Sequence, residues 1–248
     1  GGRYLSSKWD GMFAEYFKVP DVDLNVAKIP DGVSLEAAAL VGDMVTTGFH
    51  GVELADVKFG DRVCVIGIGP VGLMSVVGCV LRGAAEIYAV GHRPVTRELA
   101  MQYGATATID YQDGPIVEQV MKLTGGQQIE KVIIAGGEPT VFNDALALVK
   151  YTGTVANLAG HGRTELLLPI YTNESGFGFC AHKTVTGGLC PGGRRRIERL
   201  MGMVKAGRFE PEKLITHRFY GLDGIEEAFD LMKSKNPEVI KPIIYFDK

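Results

Sequence analysis

Val63-Cys64-Val65-Ile66-Gly67-Ile68-Gly69-Pro70-Val71-Gly72 joins an unbroken apolar run to a glycine-rich turn. A run without polar alternation marks a strand buried on both faces, as in a parallel sheet covered by helices. Residues 73–82 are apolar enough to continue as a helix, so the turn links a strand to a helix. Each glycine then has its own reason. Gly67 permits the tight turn, Gly69 lets the backbone approach a ligand, and Gly72 lets the helix lie close on its strand. The first N–H groups of the helix face outward with the dipole behind them, which suits the pyrophosphate of a dinucleotide. Pro70 sits at the helix start, where a missing N–H costs least, and Val71 follows it in the first turn. A glycine turn without a ligand is the plain alternative, but the flanking strand and helix are the context that the G-x-G-x-x-G spacing requires.

The rhythm continues downstream. Strands are expected at residues 86–90, 106–109, 131–135, 154–158 and 183–187, with helices at 95–103, 116–123, 141–150 and 194–206. Strands alternating with helices across short glycine-bearing turns define an α/β class, a doubly wound parallel sheet of six strands of the Rossmann type. The flanks differ. Residues 13–19 alternate like a half-buried strand, Ser34 precedes a short helix as an N-cap, and Asp43 or a neighbouring Thr is placed to cap a helix through residues 47–53. A helix near 225–232 and a strand at 240–246 close the chain and are expected to rejoin the first 40 residues. The expected division is therefore 1–46, 47–190 for the dinucleotide-binding domain, and 191–248.

The end of the second strand selects the cofactor. Sites for NAD place an Asp or Glu there to accept from the ribose hydroxyls. Here the strand runs into Val90-Gly91-His92-Arg93, with no acid. Arg93 can fork onto the extra phosphate of NADP through charge-assisted bonds, and Gly91 removes a side chain that would crowd it. His92 lines the same rim, and Tyr111, just past the third strand, adds a hydroxyl. NADP over NAD follows.

Composition narrows the rest. The chain has 248 residues, 46% of them hydrophobic and 22% charged, with a formal net charge of -3. That balance gives no footprint for nucleic acid and no attraction to an anionic membrane. Apolar stretches such as residues 76–81 are far shorter than the ~20 residues a membrane span needs. Cys64, Cys79, Cys180 and Cys190 have no close pairing, which fits reduced thiols and a cytoplasmic location. The start Gly1-Gly2-Arg3 lacks an initiator Met and a signal-like apolar core, so the chain reads as a piece of a longer protein.

Five stretches carry a more specific likeness: Asp43-Met44-Val45-Thr46-Thr47-Gly48-Phe49-His50-Gly51, Gly67 to Met74, Ile134-Ala135-Gly136-Gly137, Ala181-His182-Lys183-Thr184, and Gly187-Gly188-Leu189-Cys190-Pro191-Gly192-Gly193. Together they resemble the zinc-dependent, NADP-linked secondary alcohol dehydrogenases of the medium-chain dehydrogenase/reductase superfamily, along essentially the whole chain. Family members carry about a hundred further residues at the N-terminus, most of a GroES-like β-rich catalytic domain, of which residues 1–46 are a remnant. The resemblance implies one catalytic zinc held by Asp43 with a Cys and a His from that further region. It implies Thr47 near the nicotinamide, Ile116 by the adenine or its ribose, Asn157 and Lys241 near the cofactor, and Met44, Leu189 and Cys190 on the substrate-pocket wall. It also implies a small alcohol or ketone substrate and a homotetramer. Three positions depart from the family: Arg3 stands in place of an aromatic residue, Gly160 in place of a Tyr, and His92 in place of a small hydroxyl residue.

Two other readings are open: a zinc-free, quinone-reductase-like enzyme, against which Asp43 argues, and a dinucleotide-binding module without catalysis. Read from its neighbours alone, Asp43 is a helix cap, and a cap can also present an oxygen to a metal. His50 and His182 are read as structural, and Arg194-Arg195-Arg196 as a solvated first helical turn.

Overall fold

The computed structural model describes residues 8, 9, 11–163, 165 and 182–246. Arg3, Cys180 and Ala181 lie outside these. The chain divides into two compact units, Thr47–Leu189 and a second made of Gly1–Thr46 with Cys190–Lys248.

The Thr47–Leu189 unit is built on a parallel six-stranded sheet, with β1 at Arg62–Ile66, β2 at Glu86–Val90, β3 at Ala107–Ile109, β4 at Ile129–Ile134, β5 at Val149–Asn157 and β6 at Thr184–Gly187. Their order is β3-β2-β1-β4-β5-β6. This is the doubly wound dinucleotide-binding order, whose ligand crevice opens beyond the strand C-termini where the order reverses, between β1 and β4. Val63, Cys64 and Val65 are fully buried and Ile66 nearly so, because both faces of β1 are covered. One face joins Cys64, Ile66, Tyr88, Val90, Val132 and Ile134 in a single apolar cluster.

The helix after β1, Pro70–Leu81, is buried without interruption from Gly72 to Cys79. Helix Thr46–Leu54 crosses it at a close approach that only glycine allows. A Cβ on Gly48 would stand 2.6 Å from both Cβ of Met74 and the Val71 carbonyl oxygen. The hydroxyl of Ser75 donates to the Gly48 carbonyl across this contact, which satisfies a buried polar group. The Cys79 thiol lies on helix Pro70–Leu81 and the Cys64 thiol in the apolar cluster on β1, and burial pushes both well above the ordinary thiol range.

At the opposite end of the sheet, the Glu130 carboxylate accepts from the Arg62 backbone N–H at 2.9 Å and from Lys150 Nζ at 2.8 Å. The Arg62 guanidinium lies at 3.2 Å. Residues of β1, β4 and β5 are thereby held by one carboxylate. Burial pushes Glu130 up, but Lys150 and Arg62 outweigh it and bring it down from 4.5 to about 2. A carboxyl depressed by folding contributes stability above its unfolded value and loses it as pH falls from about 4.5 towards about 2. Glu130→Gln is therefore expected to cost on the order of 2 kcal/mol at pH 7 and to flatten the acid limb of the stability profile. Urea unfolding at pH 7 and pH 3.5 checks this; an unchanged acid limb would refute it.

In the second unit Ser34 caps helix Leu35–Leu40, its side chain accepting from the Ala37 N–H at 3.0 Å, as its sequence position predicts. Arg218 grips Glu36 through two bonds of 2.7 and 3.0 Å, and the Tyr245 hydroxyl donates to the same carboxylate. These contacts join residues before 46 to a parallel pair of strands, β7 at Ile215–Tyr220 and β8 at Lys241–Tyr245, with helix Asp223–Lys233 between them.

Several expectations change. Residues 13–19 form no strand, and Phe13, Tyr16 and Phe17 are exposed. Alternation marks a strand only where a sheet edge is available to pair with it. Asp43 is not an N-cap; it lies inside a π-helical turn, Val41–Val45, and its carbonyl accepts from the Thr46 N–H. The helix expected over residues 141–150 stops at Leu148, and β5 starts at once with Val149. Strand β7 has no expected counterpart. The triple Arg is only partly solvated. Arg194 pairs with Glu198 one turn on at 2.7 Å, whereas Arg196 donates to the Thr46 hydroxyl and carbonyl at 2.6 and 3.1 Å.

Candidate cofactor site

The loop after β1 has the geometry a pyrophosphate needs. Gly67 has φ 90°, and a Cβ there would also stand 2.6 Å from the Gly136 nitrogen, just past β4. Two strand ends therefore touch backbone to backbone at the switch point. A Cβ on Gly72 would lie 2.0 Å from the Gly67 carbonyl oxygen. Gly69 is the opposite case: as the extended N-cap of helix Pro70–Leu81, it has nothing beyond its chain neighbours within 4 Å of where a Cβ would be, among the described residues. Open space at a helix N-terminus, with Pro70 in the first turn and Val71 beside it, is a cradle that fits a diphosphate.

The adjacent rim comes from the ends of β2 and β3. A Cβ on Gly91 would stand 2.3 Å from Ile68 Cγ1, so glycine is required there for packing against the phosphate loop rather than for room around a phosphate. Arg93 is the N-cap of helix Pro94–Gln102, and its carbonyl accepts from Thr96. Burial pushes its guanidinium below the ordinary range, with Tyr111 opposing. A partly desolvated cation at the positive end of a helix is a strong attractor for an anion. The Tyr111 ring is exposed and lies 5.8 Å from the His92 ring.

The sequence reading missed Asp110. Its position directly after the third strand was the available signal, since strands β2 and β3 end side by side. Asp110 is buried, its side chain 10% exposed. It lies 3.1 Å from His92 Nδ1 and 3.2 Å from the Arg97 guanidinium, and accepts from the Gln112 N–H at 2.9 Å. Burial pushes Asp110 up, but the Gln112 N–H and the His92 ring outweigh it and hold it below the ordinary carboxylate range. Its lone pairs are thus engaged by Arg97, Gln112 and His92, and the rim remains net positive with Arg93 and Arg97 both charged.

The other expected site residues distribute differently. Ile116 opens helix Ile116–Leu123 and sits in the apolar core cluster. The Asn157 side chain, at the end of β5, bonds the Ala159 carbonyl and N–H, both at 3.1 Å. Thr47 is half-buried near the start of helix Thr46–Leu54, and Leu189 is exposed. Asp43, Met44, Cys190 and Lys241 belong to the second unit, where Met44 is buried and Asp43 exposed. His50 pairs with Glu53 at 3.2 Å, as a structural histidine does. Among the described residues, no three His, Cys, Asp or Glu side chains gather to hold a metal, and no helix is long and apolar enough to cross a membrane.

Comparison with known proteins agrees with this geometry. The profile of the family described as "Zinc-binding dehydrogenase" matches residues 70–205. The chain belongs to that family. It is 51% identical, over 98% of its own length and 68% of the relative's, to an NADP-dependent isopropanol dehydrogenase of Thermoanaerobacter brockii. A protein of the same name from Clostridium beijerinckii is 50% identical over 98% of this chain and 69% of its own. The resemblance to zinc-type alcohol dehydrogenases thus holds along the chain. Among solved structures, zinc dependent alcohol dehydrogenase 2 from Streptococcus pneumonia superposes with a TM-score of 0.82 at 28% identity, covering 96% of this chain and 67% of that one. This member of the zinc-binding dehydrogenase family therefore spans about two thirds of the length of these relatives.

Proposed function

We propose that this chain is the cofactor-binding part of an NADP- and zinc-dependent alcohol dehydrogenase that interconverts secondary alcohols and ketones or aldehydes. The observation that carries the reading is Arg93, half-buried at a helix N-terminus beside the phosphate loop, where an acid would select NAD. The names of the two relatives at 50% identity and above support the same cofactor and substrate class.

In this reading Gly67, Gly69, Pro70, Val71 and Gly72 hold the pyrophosphate, His92, Arg93 and Tyr111 surround the ribose 2′-phosphate, and Gly91 supports that rim by its packing on Ile68. The resemblance assigns Ile116 to the adenine side, Asn157 and Lys241 to the surroundings of the cofactor, Thr47 to the nicotinamide side, and Met44, Leu189 and Cys190 to the substrate wall. Residues 1–46 and 191–248 belong with the catalytic domain, and residues 47–190 are the NADP domain. When bound, the nicotinamide supplies the hydride acceptor, and the chain supplies its grip and orientation. The cradle at Gly69 fits NADP. The described residues do not fit a zinc site by themselves, because a catalytic zinc takes three protein ligands and Asp43 offers one carboxylate. The resemblance makes Asp43 one ligand of a set whose other members lie outside these residues. The resemblance also carries a homotetramer into this reading, and the cysteines without close pairing carry a cytoplasmic location.

Fluorescence titration of residues 1–248 is expected to show NADPH binding at least about tenfold more tightly than NADH, the effect of one charge-assisted phosphate contact. The same polypeptide with NADP and propan-2-ol is expected to give no turnover above buffer. Equal affinities would defeat the NADP assignment, and turnover would defeat the assignment of the other zinc ligands to a region outside these residues.

A further inference from the structure

We propose that His92 and Asp110 form a proton-dependent selector for the group on the cofactor's ribose 2′ position, with Asp110 as the positioning residue. The inference rests on the reading that the rim after β2 faces that ribose. Both Asp110 oxygens lie 3.1 Å from His92 Nδ1. An ionised carboxylate only accepts, so Nδ1 carries the hydrogen and donates it. That leaves Nε2 as the ring nitrogen available to a ligand, on a side chain 41% exposed.

The consequence follows from the chemistry of imidazole. With the ring neutral, Nε2 is an acceptor, which complements the donor of a 2′-hydroxyl and repels a phosphate. With the ring protonated, Nε2–H is a charged donor, which complements a 2′-phosphate. Binding of NADP therefore takes up a proton at His92, and binding of NAD does not. The charged and titratable groups facing the ring are Asp110, just after β3, Arg93 in the same turn, Arg97 on helix Pro94–Gln102 and the Tyr111 phenol. From the phosphate loop, Ile68 packs under Gly91 and brings no charge.

The test uses residues 1–248 and two variants, His92→Ser and Asp110→Asn, titrated with NADPH and NADH from pH 5.5 to 8.5. In the unmodified chain NADPH affinity is expected to fall about tenfold across this range, while NADH affinity changes less than about twofold. The free 2′-phosphate gains charge near pH 6, which by itself tightens binding as pH rises. His92→Ser is therefore expected to level or reverse the NADPH slope, and Asp110→Asn to move its midpoint to lower pH. Calorimetry in two buffers of different ionisation enthalpy is expected to count proton uptake with NADPH near pH 7, and none in His92→Ser. An NADPH slope unaltered in His92→Ser would overturn the selector and leave the NADP reading intact. Equal binding of the two cofactors at every pH, or binding of neither, would overturn both. If Asp110→Asn fails to fold, the His92→Ser slope alone decides.

Discussion

Gly69→Ala is expected to leave the fold intact and to weaken NADPH binding at least about tenfold, whereas Gly72→Ala is expected to damage both. The contrast comes from where each Cβ would go. At Gly69 nothing beyond its chain neighbours lies within 4 Å of the Cβ position among the described residues, and φ is −73°, a value alanine adopts freely. Its cost as an N-cap is about 0.5–1 kcal/mol, too little to unfold the domain. The only thing the methyl displaces is a ligand lying against the backbone. At Gly72 the methyl would stand 2.0 Å from the Gly67 carbonyl oxygen and 2.9 Å from its carbon. Neither is the end of a flexible side chain, so the turn must open or the buried helix must tilt. The expected loss is about 3 kcal/mol of stability, in the range of overpacking and backbone strain, with NADPH binding lost because the N–H groups are re-aimed. Thermal melts and NADPH titrations of the two variants separate these outcomes. Wild-type NADPH affinity in Gly69→Ala would place the pyrophosphate elsewhere.

Arg93→Ala is expected to lower NADPH affinity about a hundredfold and to change NADH affinity less than about threefold. A forked, charge-assisted contact to a phosphate is worth about 1.5–3 kcal/mol. Partial burial, which already pushes the guanidinium below its ordinary range, puts Arg93 towards the upper end, and about 2.7 kcal/mol is a hundredfold. Arg93→Lys is expected to recover only part of the loss, because an ammonium is a point charge without the fork. Added salt is expected to weaken NADPH binding to the unmodified chain more than to Arg93→Ala. Parallel losses for NADPH and NADH would show that Arg93 supports the loop and does not read the 2′ position.

The sheet was legible because its signals are local. Residues 63–66 are apolar without alternation, and the turn that follows cannot be built without Gly67 and Gly72, so strand, turn and helix are written in consecutive residues. The acid missing from the end of β2 was legible in the same way. Asp110 was not, because its meaning depends on β3 lying beside β2 in register, Val90 against Ile109, so that the residues beyond both strands meet. The flanks were read less well for a related reason. Residues 13–19 alternate as a strand does, but no partner pairs with them among the described residues, and Asp43 resembles a cap only if the helix before it is taken to have ended.

By itself the sequence determined that a strand, a glycine loop and a helix would cradle a dinucleotide's phosphates, because turn geometry and hydrophobic period are properties of neighbouring residues. The tertiary structure decided what stands around that loop. It set Gly136 against Gly67, Ile68 under Gly91, and Asp110 against His92. Those contacts join residues far apart in the chain, and only the strand order and register bring them within reach of one another.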